Sequence, residues 1–484
     1  MTAGRPLALA IDVGTSSVRA GILDDRGRRR AALAQVAYPL DVGADGRAEI
    51  GVEVLVAALG ETIDAAVGRA GTDIRRVVAV GMSCFLHSVA AIDGRGRPLT
   101  PLLTWADTTS APEAAALRAR LDAAALWQET GCPLHASYWP AKIARLRTTT
   151  AAARRFAGAP ELLFRELTGE TAVDLSLASG SGLLDRRTAQ WHEGLLESLG
   201  IDAAALPPIA PRAASARLRA PAADRWPTLA TIPWFVPWSD ASCGTVGLGV
   251  RPGRGAALQL GTSGALRILL DEPAPTVPEG LFGHRLADGR SLVGGQLSEG
   301  GGVAAAIAGL LGRTSRDLEG AARRLPPDGH GLTVLPYLAG ERGPGYDASR
   351  RGLVTGLSLA TTGADVYLAT LESIALRFAA LDARLHRLAG GPPDVVGAGG
   401  ALVASPRWPR IVAAALGRPM RLSTEGEAST RGAALQALAA AGAIETADDV
   451  PPPPSRRVQP DPDAVARYRD ARARQERLYA EVRM

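Results

Sequence analysis

The chain has 484 residues, 46% hydrophobic and 21% charged, a balance that fits a globular protein with room for two large cores. Its net charge of +5 comes from dispersed arginines, with Arg28, Arg29 and Arg30 the densest cluster, so nucleic acid is not an expected partner. Cys84, Cys132 and Cys243 lack CxxC spacing and the six histidines are scattered, which excludes a disulfide framework and a zinc motif. No apolar run reaches membrane-spanning length and the N-terminal apolar stretch is too short for a signal peptide, so no membrane partner and a cytoplasmic location are expected.

In chain order, residues 7–12 and 18–24 are apolar strand candidates joined by a tight GTSS turn, with a third strand at 31–38. Apolar residues at helical spacing predict a helix over 52–69, and strands follow near 76–82 and 87–92, closed by the turn DGRGRP. Helices fill much of 111–170, and a Pro- and Trp-rich loop at 206–238 leads to PWSDASCGTVGLG. The pattern then restarts: 256–260 and 265–270 are again strands joined by a GTSG turn. Helices are expected near 299–324, 363–390, 405–416 and 429–441, and strands near 332–335 and 394–398. PPPPS (451–455) reads as a linker before a charged amphipathic helix at about 463–482.

IDVGTSSVRAGIL (11–23) and LQLGTSGALRILL (258–270) share one device: apolar strand, Gly-Thr-Ser turn, apolar strand bearing an arginine. Gly14 and Gly261 lie 247 positions apart, about half the chain, which points to a duplicated phosphate-binding hairpin. A Gly-Thr-Ser turn offers backbone amides and hydroxyls to phosphate at little steric cost. Two such turns suggest a triphosphate gripped between two domains. Asp12 precedes the first turn where Gln259 precedes the second, so Asp12 is read as linked to a metal on the phosphates. The plainer alternative is a strand-end acid satisfied by the turn amides.

Lys142 is the single lysine among 54 basic residues, which marks a site where arginine does not substitute. No lysine follows a glycine, so a Walker A loop is absent. Asp240 follows an aromatic-rich loop and opens a small-residue helix; it is either a general base for an alcohol or, with Ser239, a helix N-cap. Trp105 precedes Asp107, and Tyr138 and Trp139 precede Lys142, groupings that suit a carbohydrate pocket. GAGGALVASPRW (397–408) places glycines before a helix, where a phosphate or flat ring can approach the backbone. PYLAGERGPGYDASRRGLVTGL (336–357), with Glu341, Arg342, Asp347 and Arg351, reads as an interdomain loop held by ion pairs.

Taken in order, these segments, with LTPLLTWADTTS (99–110), resemble the FGGY carbohydrate kinases and, within them, the gluconate-kinase group. The resemblance runs nearly end to end. It implies an α/β fold of two actin-like ATPase (ribonuclease H-like) domains around a cleft, one spanning 1–245 and one 246–484. It implies ATP and Mg2+, with Asp12 near the metal, Thr15, Ser16, Gly261, Thr262 and Ser263 near the phosphates, and Gly399, Gly400 and Ala401 along the adenosine. Asp240 falls on the family's catalytic aspartate, which favours base over cap. His87, Trp105 and Asp107 match sugar-side positions, and Lys142 lies in a segment similar to one of the gluconate-kinase group, which implies that it helps recognise an acid sugar directly or by supporting that loop. Phe85-Leu86 and Thr109 depart from the family pattern and bear on which sugar is used. The expected reaction is phosphorylation of a small sugar or sugar acid, gluconate favoured over xylulose or a polyol, by a protein that also has room to be a homodimer. A nucleotide-dependent binding protein of the same fold is the alternative of another class.

Overall fold

The computed structural model describes residues 5–482; the first four and last two residues of the expected domains lie outside it. Its organisation follows from two strands that are apolar along their whole length. LALAIDV forms β1 (Leu7–Val13), buried at every position, and it can only be the middle of a sheet covered on both faces. β2 (Ser17–Asp24) and β3 (Ala34–Ala37) continue antiparallel on one side of it. On the other side β4 (Val77–Cys84) runs parallel to β1. β5 (Ser215–Ala216), β6 (Trp234–Phe235) and β7 (Trp238–Ser239) complete this sheet, β6 and β7 both parallel to β4. The Trp-rich segment expected as loop therefore supplies sheet strands, with Trp226 and Trp234 filling the first core and Phe235 packing with Ala79 and Ala437.

The second half repeats the plan. β8 (Gly255–Leu260) and β9 (Gly264–Leu270) form the second hairpin; β10 (Phe282–Arg285) and β11 (Ser291–Leu297) extend it antiparallel. β12 (Asp394–Ala398) and β13 (Met420–Ser423) continue the other side in parallel, and β14 (Ser455–Val458) closes the edge antiparallel. The segment read as a Pro-rich linker thus ends in a sheet strand. Its prolines precede an edge, where a missing N–H costs no ladder bond.

Among the helices, α1 (Val52–Ala70) covers the first sheet with Val52, Leu55, Leu59 and Ile63. α2 (Asp240–Gly247) leaves the end of β7. α3 (Gly363–Ala389), capped by Thr362 and Asp365, is the main cover of the second sheet. α4 (Ala428–Ala440) crosses between the sheets, and α5 (Pro462–Glu481) packs Ala464, Tyr468 and Ala471 into the second core. No helix among the described residues is long and apolar enough to cross a membrane.

The halves are not independent. Leu269, Phe282 and Leu292 of the second sheet share one apolar cluster with Leu86, Trp139 and Phe156 of the first half. α4, from the second half, packs on β4 and on α2 through glycines. A Cβ at Gly81 would stand 2.3 Å from the Ala433 oxygen, one at Gly247 1.8 Å from the Ala428 oxygen, and one at Gly432 1.8 Å from the Cys243 oxygen. The expected boundary at 245/246 falls inside α2, in the middle of this junction. Gly432→Ala should lower the unfolding free energy by about 2 kcal/mol through overpacking. Urea denaturation checks this, and an unchanged midpoint would contradict the packing described.

Candidate active site

Parallel strands deliver their carboxyl ends to one edge, where ligands gather in α/β folds. In the first sheet Asp12 pairs with Ser83, Val13 with Cys84, and Ser239 with Cys84 from the other side. Asp12, Ser83 and the start of α2 therefore stand in one row. In the second sheet Gln259 pairs with Ala398, so the Gly261 turn and Gly399 leave side by side. The two hairpin turns that look alike in sequence differ by one residue in length. Val13 pairs with Val18, whereas Leu260 pairs with Gly264.

The structure separates the two readings of Asp240. Ser239 is the N-cap, its hydroxyl accepting from the Ser242 amide at 3.2 Å. Asp240 is the first helical residue, half-buried, and bonds to no other side chain among the described residues. Burial raises its pKa to about 6, opposed mainly by the positive charge of Arg267, while Asp12 adds to the rise. Arg267, half-buried on β9, has its own pKa lowered by desolvation to about 10 and donates to Gln259 Oε1. Gln259 in turn lies against α2 at Gly244.

Asp12 is 7% exposed and accepts from the Ser83 hydroxyl at 2.8 Å, with Arg19 at 3.5 Å. Burial raises its pKa, with Ser83 and Arg19 opposing. Thr15, Ser16, Thr262 and Ser263 reach solvent, and their hydroxyls have no side-chain hydrogen bond among the described residues. Gly399 has φ of 108°, and a Cβ there would meet the Leu260 backbone at 2.5 Å, so glycine is required. Gly400 and Ala401 begin the following short helix, and Ala401 touches Gly301. Gly300–Gly302, not singled out from sequence, dock on the second turn: the Gly301 amide donates to the Gly261 carbonyl at 2.7 Å and that of Gly302 to Thr262 at 3.0 Å. Three adjacent glycines were the available signal.

On the opposite wall, Trp105 lies under the Arg342 guanidinium at 4.3 Å. His87 holds a left-handed backbone, φ 71°, which costs a non-glycine residue about 1–3 kcal/mol and points to a positioned group. Its Nδ1 lies 2.8 Å from the Gly180 carbonyl, so Nδ1 carries the proton and Nε2 is left as a buried acceptor without a partner. Burial keeps the ring neutral, its pKa pushed well down.

Family models match residues 7–247, as the N-terminal domain of the FGGY family of carbohydrate kinases, and residues 256–441, as its C-terminal domain. The chain belongs to the FGGY family of carbohydrate kinases. It is 28% identical to the gluconokinase of Bacillus subtilis (strain 168) over 459 residues, 91% of this chain and 89% of that protein. It is 30% identical to the xylulose kinase of Streptomyces rubiginosus over 449 residues, 89% and 87% of the two. The crystal structure of gluconate kinase from Lactobacillus acidophilus superposes with a TM-score of 0.87 at 24% identity, covering 99% of this chain and 98% of that one. The two repeated sheets are the two domains of the expected actin-like (ribonuclease H-like) fold, and the protein is a phosphotransferase of the sugar-kinase class.

Two residues of this FGGY kinase placed on the sugar side, Asp107 and Lys142 (the latter expected to act directly or by supporting its loop), turn inward. Lys142 is fully buried and its ammonium donates to three carbonyls, those of His87 at 2.7 Å, Thr104 at 2.6 Å and Ser137 at 2.9 Å. All three protons are consumed, so direct contact with substrate is excluded, and arginine's planar fork could not replace this tripod. Burial lowers its pKa to about 7, opposed by Asp107. Asp107 is likewise buried, accepting from the Ala48 amide at 3.0 Å and from Thr109 Oγ1 at 2.6 Å. Both fasten the loops that carry His87 and Trp105. Another acid group, Asp328, His330 and Glu372, has metal-type spacing, but Arg474 holds Asp328, and His330 and Tyr468 hold Glu372. Lys142→Met strands three buried carbonyls and should destabilise the protein by about 3 kcal/mol. A melting temperature equal to wild type would contradict the tripod.

Proposed function

We propose that the protein transfers the γ-phosphoryl group of ATP to a hydroxyl of a sugar acid, gluconate being the favoured substrate, with Asp240 as the general base. The observation that carries the reading is the unpaired Asp240 carboxylate at the junction of the two sheets, with its pKa raised to about 6 beside Arg267. A base titrating there is ionised at neutral pH yet basic enough to accept a proton as the oxygen bonds to phosphorus. Ser239 takes the capping task, which leaves Asp240 free for chemistry.

The turns 14–16 and 261–263 face the cleft with free hydroxyls and would hold the phosphates; Gly399–Ala401 and Gly300–Gly302 would border the adenosine. Asp12 suits Mg2+: it is a single buried carboxylate, fixed by Ser83 on one oxygen and only loosely approached by Arg19 on the other. The ion, when bound, neutralises charge on the phosphates. Arg267, one strand from the second turn, steadies the Asp240 carboxylate and adds positive charge on the phosphate side. His87 Nε2 accepts a substrate hydroxyl, held in place by Gly180 and by the Lys142 tripod. Closure of the domains about the α2–α4 junction excludes water from the transferred group.

Similarity to both gluconokinases and xylulose kinases leaves neutral ketoses as the second reading, and coupled ADP release across sugar acids, ketoses and polyols decides between them. Asp240→Asn should lower kcat about 10³-fold while ATP still binds; turnover at wild-type rate would refute the assignment. Because the ionised form acts, wild-type kcat/KM should fall as pH drops through about 6. A profile flat down to pH 4.5, about the lower end of this test, would contradict it.

A further inference from the structure

We propose that Ser176, oriented by Asp174, is the positioning residue for Asp240, an inference that rests on the reading of Asp240 as the base. A group that moves a proton must be held within about 0.5 Å of its working place. Asp240 bonds to no other side chain among the described residues, so its direction is inherited from the backbone that carries it.

That backbone is gripped from outside its own sheet. The Ser239 amide, one residue before the base, donates to Ser176 Oγ at 3.1 Å, across 63 positions of sequence. The single hydroxyl proton of Ser176 goes to Asp174 Oδ1 at 2.5 Å, and the Ser176 amide donates to the same oxygen at 2.8 Å. Burial raises the pKa of Asp174 to about 6, so it is ionised at neutral pH. A carboxylate only accepts, which fixes the hydroxyl proton and leaves the lone pairs of Ser176 for the Ser239 amide. Asp174, Ser176 and Ser239 are 7%, 2% and 0% exposed, so bulk water does not compete for these bonds.

A local Asp–Ser pair is ordinary. Ser349 bonds to Asp347 in the same way at the surface, but its hydroxyl accepts from no amide among the described residues. Asp122 and Asp202 likewise hold only amides of the turns they open. The pair at 174 and 176 differs because it reaches the residue that caps the helix of the base.

The same short helix, Leu175–Gly180, also holds the substrate side. Gly180, one turn on from Ser176, accepts from His87 Nδ1 at 2.8 Å. Ser179 Oγ accepts from the Arg285 amide of β10 at 2.9 Å, which ties the second half to this helix. One turn of helix therefore spaces the base from the histidine that receives a substrate hydroxyl in the reading above. Removing the Ser176 hydroxyl strands a buried amide and frees residues 239 and 240 to shift, while the bond from His87 to Gly180 remains.

The test measures steady-state ADP release by wild type, Ser176→Ala, Asp240→Asn and the double variant. The substrate is whichever of gluconate, xylulose and glycerol turns over fastest. Ser176→Ala should lower kcat about 30-fold, with the KM for the sugar and for ATP within about threefold of wild type. In the Asp240→Asn background the same substitution should change kcat by less than about threefold, because no base is left to misplace. Ser176→Cys, which keeps the shape but accepts weakly, serves in both backgrounds if the alanine variant does not fold. Wild-type kcat in the Ser176 variant, or an equal loss in both backgrounds, would overturn the inference while leaving Asp240 as the base. Asp240→Asn turning over at the wild-type rate would overturn both.

Discussion

The structure depends on how closely two helices can approach. α2 and α4 come from different halves of the chain, yet Gly247 and Gly432 bring their backbones to a separation that no side chain would permit. Gly81 lets α4 sit on the first sheet in the same manner. This helix pair lies between the two repeated sheets, with Ala433 and Ala434 of α4 against β1 and Ala428 against Ala257 and Val396. It therefore sets the distance between the first turn, the second turn and Asp240. It is also compact and built from small residues, which suits a pivot: one half can rotate on the other without dismantling large interlocked side chains.

Electrostatics gives the cleft its direction. Burial raises the pKa of Asp12 and Asp240 and lowers that of Arg267 and Arg342, so every charged group there is held at some cost. Asp240 and Arg267 offset one another. Burial keeps His87, His135 and His284 neutral, which makes His87 an acceptor. Lys142 and Asp107 are spent on scaffolding. On the proposed reading, the sugar would meet mostly uncharged groups and the phosphates would meet backbone amides and hydroxyls.

Much of this was legible in the chain. The duplicated hairpins were visible because a strand buried on both faces must be apolar throughout and a tight turn must carry glycine, as Gly14 and Gly261 do. Asp240 was visible as a base or a cap; the backbone geometry at the helix start is what assigns the capping to Ser239. Residue type reveals charge but not direction: Asp107 was expected to meet substrate, and Lys142 to act on it directly or by supporting its loop, and the polar atoms of both turn inward to hold loops. Arg342, which read as one more ion pair among Glu341, Asp347 and Arg351, instead donates to Gln296 and the Leu297 carbonyl and lies over Trp105. β14 was concealed by the prolines before it, and β5–β7 by short strands whose partners are far away in sequence. The one-residue difference between the turns follows from the register and has no signature in their shared Gly-Thr-Ser.

The central claim is that this cleft moves a phosphoryl group from ATP to a sugar hydroxyl. A single-turnover experiment tests it most directly: enzyme in excess, ATP labelled at the γ-phosphate, Mg2+, and gluconate present or absent. The account predicts that with gluconate the label appears in a phosphorylated sugar acid, and that without it the ATP survives. Label released as inorganic phosphate at the same rate in both would contradict it.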